Sequence, residues 1–107
     1  MEFASNGDFA IHVRDLARAR TFYRDTLGFK LLQHSGEKLV FATGNFTLYV
    51  NKDGKNIPFI PALKVPDYEA AKRFLESAGC KIIREWPGSG AFYFRDPLGQ
   101  VMDIIQS

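Results

Sequence analysis

Polar and aromatic residues that could bind a small molecule are spread along the chain, most of them alternating with apolar neighbours. They are Asp8, His12, Thr47, Tyr49, Trp86, Tyr93 and Asp103. Carboxylates pair with cationic groups, and aromatic rings stack on planar ones. If Asp8 and Asp103 lie close enough to share a proton, the pKa of one of them is raised and the pair could act in acid–base catalysis. The residue types therefore indicate ligand binding, with or without a reaction.

The elements that must position these residues follow a pattern that occurs twice. A strand of alternating apolar residues ends in Val-x-Asp and is followed by a helical stretch. The helix ends at a glycine, and a new strand begins after it. The matching parts are Ile11–Leu16 with Leu63–Tyr68, Ala17–Leu27 with Glu69–Ala78, and Gly28 with Gly79. Asp15 and Asp67 are suitable N-caps, because a carboxylate accepts the free N–H groups of a first helical turn. The repeat predicts two βαβββ units.

The two faces of the predicted strands differ in polarity. Phe9, Ile11 and Val13 share one face of the first strand, whereas Asp8 and His12 share the other. The apolar faces are expected to pack on the helices. The opposite faces carry the polar residues named above, and buried polar groups need partners, so these faces suit a ligand cleft better than a dry core. The predicted fold class is α+β: two βαβββ modules form a curved mixed sheet around a cleft, with the helices outside.

Length and composition limit the domain organisation and the partners. The chain of 107 residues fits one domain, with modules at 8–51 and 59–107 and a polar linker at 52–58. The net charge is +2, and the arginines at 14, 18, 20 and 24 suit a solvated helix face better than a nucleic-acid surface. Cys80 is the only cysteine, so no disulfide forms within the chain.

Neither a signal peptide nor an apolar run of roughly 20 residues occurs, which predicts a cytoplasmic protein with no membrane partner. A chain of this size buries only part of its apolar surface, and a second copy is expected to cover some of the rest.

Two segments resemble the vicinal oxygen chelate superfamily, which includes glyoxalase I, bleomycin- and fosfomycin-resistance proteins and extradiol dioxygenases. Asp15–Phe29 is similar to its D-L-x-x-(A/S)-x-x-F-Y-x-x-x-L-G-F segment, and Phe94–Ile104 to its F-x-D-P-D-G-N-x-x-E-L segment. The resemblance implies paired βαβββ modules in a curved eight-stranded sheet. It also implies a homodimer with pockets at or near the subunit interface.

Metal-dependent members of that superfamily hold a divalent cation with four ligands from equivalent strands. Carried over to this chain, those positions are Asp8, Tyr49 (Leu48 if the register shifts by one), Ile60 and Asp103. Ile60 has no donor atom, and a tyrosine hydroxyl with a pKa near 10 is a weak ligand. Zn²⁺ sites use at least three good protein ligands, and octahedral Ni²⁺ or Fe²⁺ sites need several N or O donors. The expectation is therefore that the domain has no cofactor.

Three functions are compatible with this sequence. The first is a metal-independent binding protein of the antibiotic-resistance kind, which sequesters a drug or metabolite. The second is an enzyme: a glyoxalase-like lyase, a thiol transferase, an isomerase or a dioxygenase-type metalloenzyme with a non-standard site. The third is an interaction domain whose pocket is vestigial.

Overall fold

Two units with the same order of elements make up the computed structural model, which describes residues 2–107. The first unit is Gly7–Phe59, and the second comprises the residues up to Asn6 together with Ile60–Ser107. Both have the order strand, helix and three strands. Among the described residues, this confirms the predicted α+β class and the repeated βαβββ pattern.

The strands of the first half pair in the order β2-β3-β4-β1. Strand β1 is parallel to β4, whereas the β2–β3 and β3–β4 pairs are antiparallel. A parallel pair needs a crossover, and the helical segment between β1 and β2 provides it. The elements are β1 (Ala4–Val13), α1 (Leu16–Arg20), a π-helical segment (Thr21–Thr26), β2 (Lys30–His34), β3 (Lys38–Ala42) and β4 (Thr47–Lys52).

The second half repeats this arrangement in the order β5-β8-β7-β6, with β5 parallel to β8. Its elements are β5 (Ile57–Val65), α2 (Tyr68–Ser77), β6 (Lys81–Trp86), β7 (Ala91–Arg95) and β8 (Val101–Gln106). The connection between the halves is shorter than the predicted linker at 52–58, because β4 includes Lys52 and β5 already begins at Ile57.

Both helices begin at the predicted aspartates. Oδ1 of Asp15 accepts the N–H of Arg18 at 2.9 Å, and Oδ1 of Asp67 accepts the N–H of Ala70 at 3.1 Å. Gly28 and Gly79 follow the helices with φ of 76° and 93°, the left-handed conformation that glycine adopts without strain. No helix in residues 2–107 is both long and apolar enough to span a membrane.

The first helix differs from the regular helix predicted over Ala17–Leu27. After α1 the chain widens into the π-helical segment, and the N–H of Leu27 donates to the carbonyl of Phe22, five residues back, at 3.0 Å. Apolar spacing does not distinguish this wider turn from an α-helix.

Each unit has its own core between helix and sheet. In the first unit, Ala19 of α1 packs with Ile11, which is on the predicted apolar face of β1. The buried residues of β3 and β4 in the same core are Leu39, Phe41, Leu48 and Val50. In the second unit, Ala71 and Leu75 of α2 pack with Val65, Phe92, Phe94 and Ile104. The predicted polar residues therefore lie on the strand faces that point away from the helices.

The repeat extends to an irregularity in one strand of each unit. The β2–β3 register shifts between Leu31 and Gln33, and the β6–β7 register shifts between Ile82 and Arg84. The extra residue of each β-bulge is Leu32 or Ile83, and both side chains are exposed.

Candidate functional site

Asp8, Thr47 and Tyr49 lie together on the polar face of the first unit. Asp8 is directly beside Thr47 in the parallel β1–β4 pair, and Tyr49 is beside Ala10, two residues further along. Side chains two apart on a strand point to the same side, and partners in a ladder share a face. Carboxylate, hydroxyl and phenol groups are therefore neighbours on adjacent strands, and all three residues are partly buried.

Partial burial changes the acidity of this group. Removal from water raises the pKa of the Asp8 carboxyl above its ordinary value. The pKa of the Tyr49 hydroxyl is also raised, first by burial and then by the negative charge of Asp8. Near neutral pH the tyrosine is thus a neutral hydroxyl that can donate or accept a hydrogen bond.

Lys38 completes this group from the third strand. It is opposite Asn51 in the β3–β4 pair, and its Nζ lies 5.9 Å from the centroid of the Tyr49 ring, within range of a cation–π interaction. Aromatic, anionic and cationic groups therefore lie within one patch. We call Lys38, Asp8, Thr47 and Tyr49 the polar patch.

His12 lies on the same strand face but is fixed by another residue. Its side chain is 5% exposed, and its Nδ1 lies 2.9 Å from Oδ2 of Asp53, just after β4. The N–H of Asp53 in turn donates to the carbonyl of Val13 at 2.9 Å. This pairing occupies one ring nitrogen of His12 and ties β1 to the turn after β4.

The remaining predicted residues lie in the second unit. Tyr93 is directly opposite Asp103 in the antiparallel β7–β8 pair. Tyr93 is buried, Asp103 is partly buried, and the Trp86 ring lies edge-on to the Tyr93 ring with centroids 4.8 Å apart. Trp86 is the last residue of strand β6, and its pairing with Ala91 places it beside β7.

The structure therefore places the predicted residues in two groups, one within each unit. The sequence did not predict Lys38 of the polar patch or Asp53, the partner of His12. Lys38 and Asp53 are ordinary surface charges by composition. Asp53 was assigned to the linker, and only the β1–β4 register, in which His12 is beside Asn51, brings it to the histidine. The local sequence does not predict which residues of two strands pair.

A separate cavity of about 640 Å³ lies in the first unit. Its walls come from the end of β1, from the helical segment and from residues 56–59, and His12 is the one residue of the predicted set among them. Ile11 and Val13, which belong to the helix-facing side of β1, also line it. This cavity is therefore distinct from the polar patch.

Comparison with protein families agrees with the resemblance noted in the sequence. A family model described as bleomycin resistance protein-like N-terminal matches residues 8–44, about a third of the chain. No protein with a curated function matches the sequence significantly.

Solved structures of dioxygenases have the same fold. Homoprotocatechuate 2,3-dioxygenase from Brevibacterium fuscum in complex with 3,4-dihydroxyphenylacetate superposes with a TM-score of 0.74 at 21% identity, covering 99% of this chain and 37% of that chain. An extradiol ring-cleaving dioxygenase from B. fuscum gives 0.72 at 20% identity, covering 99% of this chain and 33% of that one. The chain thus spans about a third of the length of the dioxygenases it matches. The family match and the shared fold confirm the resemblance to the vicinal oxygen chelate superfamily.

The comparison contradicts the expectation that the domain has no cofactor. The structural neighbours are extradiol dioxygenases, metal-dependent members of the superfamily, and so they point to the use of a metal.

The donor atoms of the chain do not fit a complete metal centre. In the part of the chain that the structure describes, no group of three or more His, Cys, Asp or Glu side chains could hold a metal ion. Of the four positions carried over from the superfamily, Ile60 is 1% exposed and offers only hydrocarbon, and Tyr49 offers a phenol of raised pKa. Asp8 and Asp103 are the carboxylates that remain, and two such ligands are too few for a complete metal centre.

Proposed function

We propose that this domain binds and sequesters a small molecule that carries a planar ring with hydroxyl or cationic substituents. The observation that supports this is the polar patch, in which Asp8, Thr47 and Tyr49 lie on one face of neighbouring strands beside Lys38. A binding protein of the bleomycin-resistance kind is consistent with the family match over residues 8–44.

The chemistry of the polar patch defines the ligand. An Asp8 carboxylate accepts hydrogen bonds from a ring hydroxyl or pairs with a ligand cation, and partial burial strengthens that contact. The Tyr49 hydroxyl stays protonated because its pKa is raised, so it can donate to a ligand oxygen. Its ring offers an edge or a face for stacking. Thr47 adds a hydroxyl that both donates and accepts.

Two probes test this proposal, bleomycin and catechol, a planar ring that carries two hydroxyl groups and no carboxylate. Each is titrated into ¹⁵N-labelled protein, with amide shifts followed by NMR. We expect the largest shifts in β1 and β4. We also expect Asp8→Asn and Tyr49→Phe each to weaken binding about tenfold, because each removes one hydrogen bond in a partly buried site. Glu69→Gln, an exposed change on α2, is the matched control. Equal affinity in all four proteins, or no binding of either probe, would contradict the proposal.

Ring cleavage is the second candidate, favoured by the fold shared with homoprotocatechuate 2,3-dioxygenase. It is distinguished by measuring oxygen uptake with 3,4-dihydroxyphenylacetate after the protein has been supplied with ferrous iron under anaerobic conditions. Binding without oxygen uptake supports sequestration, whereas repeated turnover supports the dioxygenase. Metal content measured after purification without chelators shows whether the chain retains an ion from the cell.

The homodimer, the cytoplasmic location and a role in antibiotic resistance stay predictions. The glyoxalase-like lyase, the thiol transferase and the interaction domain likewise stay hypotheses. Light scattering across a range of protein concentrations measures the oligomeric state. A thermal-shift screen with thiol metabolites tests the lyase and transferase alternatives, since a bound ligand raises the melting temperature.

A further inference from the structure

The cavity in the first unit has features of a binding site that the polar patch does not use. Its volume of about 640 Å³ lies within the range of small-molecule pockets. One wall is the end of β1 with Ile11 and Val13, another is the helical segment with Arg18, Phe22 and Tyr23, and the third is residues 56–59. The whole lining belongs to Gly7–Phe59, so the site needs no other part of the chain.

The third wall is held in place rather than loosely attached. The backbone N–H of Arg14 donates to Oδ1 of Asn56 at 3.0 Å. Asp53 is bound to β1 through its own N–H and through His12, as described above. The start of the segment that closes the cavity is therefore fastened to β1 at Asp53 and Asn56. A pre-formed wall lowers the entropy cost of binding.

Aromatic side chains stand in this cavity with much of their surface uncovered. Phe22 is 48% exposed and Phe59 is 53% exposed, although both line the cavity. The ring centroids of Phe22 and Tyr23 are 5.4 Å apart, and those of Phe59 and Phe9 are 6.0 Å apart. Large rings left open in a concave site are available to stack on a planar ligand.

The charge around the cavity is positive. Arg14 and Arg18 line it, and Asp15 is the one acidic residue in the lining. Oδ1 of Asp15 is already occupied, because it accepts the N–H of Arg18 as the helix cap. A guanidinium forms two parallel hydrogen bonds with a carboxylate, so this lining favours an anion.

We propose that this cavity is a second small-molecule site, specific for an aromatic carboxylate whose ring stacks on Phe22 and Phe59 while its carboxylate pairs with Arg18. It goes beyond the proposed function, because it shares no residue with the polar patch and its ligand carries the opposite charge to a cationic drug.

The test uses 2-naphthoate and its neutral counterpart 2-naphthalenemethanol, each titrated into ¹⁵N-labelled full-length protein. We expect naphthoate to shift the amides of Arg18, Phe22 and residues 56–59, and to bind at least about tenfold more tightly than the alcohol. Binding is also expected to weaken as salt concentration rises, since the arginines are exposed.

Variants distinguish binding at this site from non-specific binding. Arg18→Gln and Phe22→Ala should each weaken naphthoate binding about tenfold, and both positions are exposed, so the fold is expected to persist. Arg73→Gln, an exposed arginine of α2, is the matched control and should leave the affinity unchanged. Asp8→Asn should also leave it unchanged, which separates this result from failure at the polar patch.

Three outcomes would overturn the inference. The first is equal affinity for the alcohol and the naphthoate. The second is no effect of Arg18→Gln. The third is a concentration-dependent shift of the Phe22 amide without ligand, together with a dimer in light scattering, because a second copy of the chain would then occupy the cavity.

Discussion

Nδ1 of His12 lies 2.9 Å from Oδ2 of Asp53, so a buried side chain of β1 is bound to the first residue after β4. This contact joins strands that are neighbours in the sheet but far apart in sequence. It also sits beside the cavity, whose wall begins three residues later at Asn56. The pair is thus structural support for a candidate site rather than a member of the polar patch.

Removal of the Asp53 carboxylate should destabilise the fold. Asp53→Ala leaves a buried histidine nitrogen without this partner, and such a loss costs about 1–3 kcal/mol. Urea unfolding measures it, with Asp25→Ala as the control. Asp25 is exposed and pairs with the exposed Arg24, so its loss should change little. An unchanged urea midpoint for Asp53→Ala would show that the pair contributes nothing.

The acidity of Tyr49 should depend on Asp8. Because the charge of Asp8 contributes to the raised pKa of the Tyr49 hydroxyl, Asp8→Asn should lower that pKa while burial keeps it above the ordinary value. NMR titration of ring-labelled tyrosine measures it, with Tyr49→Phe assigning the signal. A Tyr49 pKa that is identical in the wild type and in Asp8→Asn would show that the two groups do not interact.

Asp8 should also leave a signature in the pH dependence of stability. Its pKa is raised on folding from an ordinary value of 3.8, so the folded state binds more protons than the unfolded state just above that pH. Stability contributed by this group is therefore present below pH 3.8 and is lost as pH rises through the folded pKa.

Asp8→Asn abolishes this loss, so the variant should gain stability relative to the wild type as pH rises from acid to neutral. Urea midpoints measured across that range give the difference. The opposite trend, in which the variant loses stability relative to the wild type towards neutral pH, would mean that folding lowers the pKa of Asp8.

Two glycines provide a matched pair for backbone strain. Gly28 has a φ of 76°, whereas Gly36 has no positive φ, and a Cβ would meet nothing within 4 Å at either position. Gly28→Ala should therefore cost about 1–2 kcal/mol through conformation alone, while Gly36→Ala should be neutral or slightly stabilising because it restricts the unfolded chain. Thermal unfolding compares them, and equal melting temperatures would show that the helix end relaxes at Gly28.

Local patterns were sufficient to predict the order of strands and helices and the two N-caps. Asp15 and Asp67 predicted where the helices begin, and the alternation around Ile11 predicted the face of β1 that packs in the core of the first unit. The π-helical segment was not predictable, since its apolar spacing is also that of an α-helix. Lys38 and Asp53 were missed because cross-strand register is a tertiary property. The absence of a cofactor was inferred from the poor donors at Ile60 and Tyr49, and the structural neighbours contradict it.

The bulges at Leu32 and Ile83 have a consequence for the behaviour of the protein in concentrated solution. Strands β2 and β6 each stand last in the strand order of their half, so each offers one unpaired row of amides and carbonyls. The extra residue of a bulge bends such an edge strand, so a strand of another molecule cannot pair along its whole length. Deletion of Leu32 would straighten β2 and should raise the turbidity of a protein solution on mild heating, because the edge strands of two molecules could then pair.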